Sequence, residues 1–309
     1  MRKNACCLLT ALILLALFLQ PLSVRAEEAL DVTRECSLTL EYSSEGNGFE
    51  NMEIRIYRIA EIHANGDYAL VDPFSALPVK IHGIRSQTEW REAADTLAAY
   101  ITAEQIPATA AGITDHAGNV LFEGLQTGVY LVMDANGRID RTTYAFENFC
   151  VFLPTPQQEG GLNYNVYAKP KHTTHTDPDD PRELHYQVVK LWKDGKGEKR
   201  PATVTVDILK DSVLQETVTL SADNDWTYGW TAPDDGAVWT VVEREVPADY
   251  TVVITAKETV FTITNTTQPD PPDGPQTGDS FTLIPWLIVM NVSGILLVLL
   301  GIYRKRFLQ

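Results

Sequence analysis

Residues 185–195 read His-Tyr-Gln-Val-Val-Lys-Leu-Trp-Lys-Asp-Gly, and the alternation within them decides the fold class. Period two places Lys190 on the same face as Val188 and Trp192. Two later stretches repeat the pattern. In VWTVVEREVP (238–247), Glu243 shares a face with Trp239 and Val241, and in FTITN (261–265), Asn265 shares one with Phe261 and Ile263. Each polar group points where its apolar neighbours point. Burying an unpaired ammonium or carboxylate is costly, so three exceptions ask for a common explanation.

Taken singly, each has a plain reading: a lysine snorkelling outward, a glutamate on an edge strand, an asparagine capping a turn. Taken together they form a reactive set. Burial lowers the pKa of a lysine and raises that of a glutamate. Lys190 is then a nucleophile, and Glu243 a proton-bearing acid that can polarise the Asn265 carboxamide and shuttle protons. Attack on the carboxamide carbon expels ammonia and leaves an amide between the first and last strands.

The surrounding unit, residues 184–266, reads as a small antiparallel sandwich. Val204, Val206 and Ile208 oppose Thr203, Thr205 and Asp207, with turn signals at Asp194-Gly195, Asp223-Asn224 and 233–236. Residues 27–171 are also strand-rich and carry one helix near 87–105. Ser86 and Glu89 form a capping box there, and Trp90, Ala94, Leu97, Ala98 and Ile101 follow at helical spacing until Pro107. The helix is expected to cover an open edge or face of its own sandwich. Residues 172–183 (HTTHTDPDDPRE) read as a linker, and 267–275, with four prolines, as a stiff stem.

The two ends are apolar and basic. Residues 1–26 have the layout of a secretory signal peptide, from Arg2 and Lys3 through an apolar run to Val24-Arg25-Ala26. Residues 281–303 carry no charge and are long enough to span a bilayer, with a basic tail at 304–309 that belongs in the cytoplasm. The formal net charge is -16. Without the two ends, 19 basic and 40 acidic residues remain, so the body carries -21. That acidity argues against a nucleic-acid partner.

Directly before the span stands Gly274-Pro275-Gln276-Thr277-Gly278-Asp279. This motif, the span and the basic tail together resemble the sorting signal of Gram-positive surface proteins. The resemblance implies that a sortase cuts between Thr277 and Gly278 and joins the Thr277 carbonyl to an amine of the peptidoglycan or of another pilin subunit. Pro275 and Gln276 belong to the recognised motif, while Gly274 stands where the family has Leu. An ordinary single-pass membrane protein is the alternative.

VKLWKDGKGEKRPATVTVDIL, WTVVEREVPADY and FTITNTT resemble the first-strand, glutamate and last-strand segments of collagen-adhesin B-type (Cna B-type) domains. Those domains are sandwiches stapled by an intramolecular isopeptide bond. The resemblance implies that Lys190 and Asn265 form the bond and Glu243 catalyses it. The fold class expected is mainly β: two tandem Ig-like or Cna B-type sandwiches, the first with an inserted helix, flanked by a signal peptide and a transmembrane helix.

The first sandwich departs where the chemistry stands. GVYLVMD (128–134) aligns with AVWTVVE (237–243) and sets Asp134 against Glu243, but residues 31–42 contain no lysine, so no isopeptide is expected. Cys36 and Cys150 both lie on faces shared with apolar residues. A disulfide between them and two buried free thiols are both open readings. The unit ends in NYNVYAKPK (163–171), which resembles the pilin motif of Gram-positive pilus shafts. Lys171 is the acceptor candidate and Lys169 the alternate.

No nucleophile, metal or phosphate motif marks an enzyme, and neither cofactor nor metal is expected. His172 and His175 sit in the linker stretch. The reading is an exported, wall-anchored pilin subunit, held in the membrane before sorting, with a sortase, peptidoglycan and other pilin subunits as partners. A monomeric wall-anchored adhesin or stalk is the alternative, and either could carry a host or bacterial surface ligand.

Overall fold

Alternation of Cys36, Leu38 and Leu40 against Ser37, Thr39 and Glu41 gives the first strand one buried and one half-open face. The same rule builds most of the molecule, seen here in a computed structural model that describes residues 30–133, 135–157, 160–176, 182–195 and 200–267. Strand β1 is Cys36–Glu41, β2 Glu53–Ile62 and β3 Tyr68–Leu70; helix α1 spans Gln87–Glu104. There follow β4 (Ala110–Ile113), β5 (Asn119–Leu125), β6 (Gly128–Val132), β7 (Ala135–Ile139), β8 (Thr142–Phe146), β9 (Phe149–Leu153), β10 (Asn165–Ala168) and β11 (His172–Thr176). One sheet has the order β10-β1-β5, with β1 and β10 parallel; a second runs β9-β6-β2-β3, with β4 also on β2. Leu38, Leu40, Ile54, Ile56, Tyr130, Val132 and Val166 fill the space between them.

Strand β6 (GVYLV) is buried at every position. A strand without alternation has both faces covered. Tyr130 and Val132 face the core between the sheets, whereas Val129 and Leu131 share a cluster with Leu97, Ala98 and Ile101 of α1. The helix starts as its capping box dictates: Ser86 Oγ accepts from the Glu89 amide at 3.1 Å, and Glu89 Oε2 accepts from the Ser86 amide at 3.0 Å. It ends at Gln105 in the left-handed conformation, φ 52°.

The later strands are β12 (Glu183–Lys193), β13 (Thr203–Lys210), β14 (Val213–Ser221), β15 (Thr227–Pro233), β16 (Trp239–Arg244), β17 (Tyr250–Lys257) and β18 (Val260–Thr267). They form a four-stranded sheet, β15-β12-β18-β17, and a three-stranded sheet, β14-β13-β16. First and last strands, β12 and β18, pair in parallel at the centre of the larger sheet. Val188, Val206, Ile208, Val241, Val252 and Ile263 are buried there.

α1 does more than cover its own sandwich. It also packs along β16 and β17, which are edge strands of the two later sheets. Edge strands leave backbone groups that need partners. Tyr100 Oη donates to the Glu243 carbonyl at 3.2 Å, and the Ile254 amide donates to Thr96 Oγ1 at 2.9 Å. The Val252 amide donates to the Pro78 carbonyl at 2.9 Å. The described residues through Thr267 accordingly fall in one compact unit.

The linker reading needs correction at its start. Residues 172–176 are strand β11, paired with β8 from Phe146↔His172 to Thr142↔Thr176. Threonine suits a pleated, half-exposed surface, so the lack of apolar residues did not preclude a strand. The His172 ring lies 5.5 Å from that of Tyr144 and 5.1 Å from that of Phe146. His175 Nε2 lies 3.3 Å from Asp234 Oδ1. The signal peptide, Asp134, the Pro-rich stem beyond Thr267, the sorting motif, the apolar span and the basic tail lie outside the described residues. Among those described, no helix is long and apolar enough to cross a membrane.

Candidate functional site

The parallel pairing of β12 with β18 sets Lys190 beside Ile263 and Trp192 beside Asn265. Lys190 and Asn265 therefore share a face, two positions out of step. Strand β16 supplies Glu243 from the opposite sheet, where it pairs with Val206 of β13. The three residues singled out by alternation converge in the middle of the sandwich. Asn265 Nδ2 donates to Glu243 Oε1 at 2.8 Å, and Lys190 Nζ lies 3.6 Å from Glu243 Oε2. Lys190 Nζ also donates to the Leu191 carbonyl at 3.0 Å and sits 3.9 Å from the centre of the Trp192 ring.

None of the three is accessible: Lys190 is 3% exposed, Glu243 0% and Asn265 0%. Burial pulls the Lys190 amine down to about 8, although Glu243 opposes the shift. Burial likewise pushes the Glu243 carboxyl up, against the pull of Lys190 and of the Asn265 hydrogen bond. Desolvation favours the uncharged form of both partners. That form is an amine with a free lone pair beside a carboxylic acid.

Two acceptors in this cluster, Glu243 Oε2 and Asn265 Oδ1, have no hydrogen-bond partner among the described residues. Buried polar atoms are rarely left so. A half-turn of the Asn265 carboxamide, whose NH2 and oxygen are alike in size, would present Oδ1 to a protonated Glu243. A protonated Glu243 would then donate to the carboxamide oxygen of Asn265.

Residues that sequence periodicity did not single out close the site. Trp192 meets Trp226 and Tyr250 edge-on, with ring centres 5.4 and 5.3 Å away. Beside them Asp194 accepts from Arg200 Nε at 2.7 Å and from Tyr250 Oη at 2.9 Å. The Arg200 guanidinium holds the Asp194 carboxyl below its ordinary range. Asp194 reads in the sequence only as part of a turn, and Tyr100, on a helix of the first half, carries no local signal at all.

The first half holds no equivalent cluster among the described residues. Lys80 is exposed. Cys36 and Cys150 are not joined; both are free thiols. Cys36 lies with Leu38 and Leu40 between the sheets, whereas β9 turns Val151 and Leu153 to that core and Cys150 to the helix side. Period two thus separates them across a sheet. Burial pushes the Cys36 thiol up to about 11 and the Cys150 thiol up to about 12.

The two lysines of 163–171 differ sharply. Lys169 Nζ donates to Glu41 Oε1 at 2.9 Å and Ser43 Oγ at 2.6 Å, and Tyr167 Oη donates to the same carboxylate. The Ser43, Tyr167 and Lys169 hydrogen bonds hold Glu41 down at about 2. Lys171 is exposed, and its ammonium has no partner among the described residues. Its backbone is fixed: Pro170 is buried, and the Lys171 carbonyl accepts from the Glu147 amide at 2.9 Å. Lys171 stands at an open cavity of about 500 Å³, lined also by Trp90, Arg91, Phe149 and Phe152.

Residues 186–266 match the family model of the Cna protein B-type domain. No curated protein matches the chain. Among solved structures, a single B repeat unit of the collagen-binding surface protein of Staphylococcus aureus is similar at 16% identity, covering 76% of this chain and 99% of that one, with a TM-score of 0.27. The full-length major pilin SpaD of Corynebacterium diphtheriae is similar at 14%, covering 77% and 99%, with a TM-score of 0.29. Shaft pilin SpaA of Lactobacillus rhamnosus GG follows at 14%, covering 77% and 100%, with a TM-score of 0.25. At such scores only the family match carries weight, and it runs from within β12 to within β18 and takes in Lys190, Glu243 and Asn265. Residues 186–266 are thus similar to the Cna protein B-type domain.

Proposed function

We propose that the chain is a structural subunit of a Gram-positive surface fibre, stapled internally by an amide between Lys190 and Asn265 and joined to its neighbours by a sortase. The observation that carries the reading is the sealed contact of an amine, a carboxyl and a carboxamide in the core of a Cna B-type domain. Neutral Lys190 Nζ attacks Cγ of Asn265, forming the new C–N bond. Glu243 protonates the carboxamide oxygen as the tetrahedral intermediate forms, and takes a proton from Nζ. It passes that proton to Nδ2, which leaves as ammonia when the Cγ–Nδ2 bond breaks, and it recovers the hydroxyl proton as the carbonyl re-forms. One ammonia is lost per chain, and Glu243 is regenerated. No cofactor is needed for this single turnover.

Export and attachment complete the reading. The signal peptide at 1–26 delivers the chain across the membrane, and the span at 281–303 holds it until a sortase cuts Thr277–Gly278. The Thr277 carbonyl then passes to an amine of the peptidoglycan or of a neighbouring subunit. The free, backbone-fixed Lys171 supports its role as that amine, and the engagement of Lys169 with Glu41 argues against the alternate. Immunoblots of wall extracts test this: a detergent-resistant ladder is expected, lost in Lys171→Ala. A single band from cells with a pilus sortase and intact Lys171 would indicate a monomeric wall-anchored adhesin instead.

A further inference from the structure

Helix α1 belongs to the first half of the chain, yet it grips the strands that carry the cross-linking chemistry of the second. Tyr100, 4% exposed, donates its hydroxyl to the main-chain carbonyl of Glu243 itself at 3.2 Å. Burial above all pushes the phenol upward, so it stays a donor. One turn earlier in the helix, Thr96 Oγ1 accepts from the Ile254 amide at 2.9 Å and donates to the Glu92 carbonyl at 2.7 Å. Pro78 takes the Val252 amide. Val252 is the cross-strand partner of Asn265, and Ile254 that of Ile263.

Both walls of the site are therefore fixed from outside the domain. Strand β16, which aims Glu243 inward, is the edge of its sheet; β17, which backs Asn265, is the edge of the other. An edge strand whose outward groups lack partners frays and twists more freely than a central one. A carboxyl that must sit within hydrogen-bond reach of both an amine and a carboxamide tolerates little such movement.

We propose that Tyr100 is a positioning residue for the Lys190–Asn265 cross-link, and that docking of α1 on β16 and β17 sets Glu243 before the bond can form. The first half of the chain thereby acts as a template for the chemistry of the second. This rests on the reading that Lys190 and Asn265 join. Tyr100 takes no part in bond making, and its hydroxyl keeps its proton throughout.

The test is a chase after cell-free synthesis of the full chain with liposomes present, the cross-linked form being separated from the linear one by its faster migration in detergent gels. Tyr100→Phe removes only the hydroxyl and is expected to slow conversion about fivefold, the kinetic equivalent of one lost hydrogen bond. Thr96→Val is expected to slow it as well, and Thr96→Ser to restore it. Melting of each variant in a Lys190→Ala background fixes the temperature at which all are folded. Slowing seen only close to melting marks Tyr100 as merely structural and overturns the proposal, as does conversion of Tyr100→Phe and Thr96→Val at the wild-type rate. If the wild-type chain never converts, the cross-link reading itself fails; if it converts and Tyr100→Phe keeps pace, only the positioning role falls.

Discussion

Lys190 Nζ lies 3.6 Å from Glu243 Oε2, with neither side chain exposed. Sealed ion pairs of this kind contribute little net stability, because the cost of desolvating both charges consumes their attraction. A hydrophobic pair would serve a passive core as well. The pair makes sense as reactants, since the environment that weakens it as a salt bridge shifts the amine toward its nucleophilic neutral form and helps the carboxyl keep its proton.

The intact mass of the exported protein should therefore fall one ammonia short of its sequence mass. Glu243→Ala is expected to restore the full mass, as are Lys190→Ala and Asn265→Ala, while leaving the strands in place. A full mass in the wild type overturns the cross-link. The bond closes a loop of about 75 residues, which on chain-entropy grounds stabilises the domain by roughly 4–5 kcal/mol. Melting of Glu243→Ala should reveal that loss.

In Asn265→Ala the Lys190 amine survives, and its titration becomes a stability signal. Its folded value of about 8 lies below the ordinary 10.5. Between those values the unfolded chain binds more protons than the folded one, so stability rises with pH across the window. The penalty at neutral pH is at most about 3 kcal/mol. Denaturation of Asn265→Ala should show the rise from pH 8 to 10, and Lys190→Met with Asn265→Ala should not. An identical pH profile in both would mean that the buried amine does not titrate as its surroundings dictate.

The buried cluster was legible in the sequence because each of its three residues violates a local rule. Lys190, Glu243 and Asn265 stand on faces that period two reserves for apolar side chains, and two or three neighbours suffice to show it. The capping box of Ser86 and Glu89 is equally local. What the sequence could not show depends on contacts between distant segments. Nothing near Tyr100 or Thr96 indicates that α1 serves the edges of a sandwich built almost 150 residues later in the chain. Nor does the alternation of β9 say which side faces the other sheet, so Cys150 and Cys36 could be read as partners although a sheet divides them. Strand β11 was hidden by composition: its threonines and histidines find their partner, β8, only after folding.

Thiol chemistry distinguishes the separated cysteines from a disulfide. Mature protein, denatured without reductant, should react with two equivalents of a thiol reagent, at Cys36 and Cys150. The folded protein should react slowly at both, since burial keeps the thiols protonated. A denatured, unreduced chain with no reactive thiol would mean that the two are bonded.

The route of tension supplies the last expectation. If Thr277 of one subunit is joined to Lys171 of the next, a pulled fibre loads each chain only between residues 171 and 277. With Lys190 and Asn265 joined, force would pass from β12 directly to β18 without unravelling the strands between. Residues 30–170 would hang beside the path, held by α1. Single molecules pulled between positions 171 and 277 should show no unfolding of the domain. In Lys190→Ala the same pull should release about 75 further residues, an extension of roughly 250 Å at ~3.5 Å per residue. A wild-type trace with that same extension would place the whole domain under load, and the cross-link outside the path.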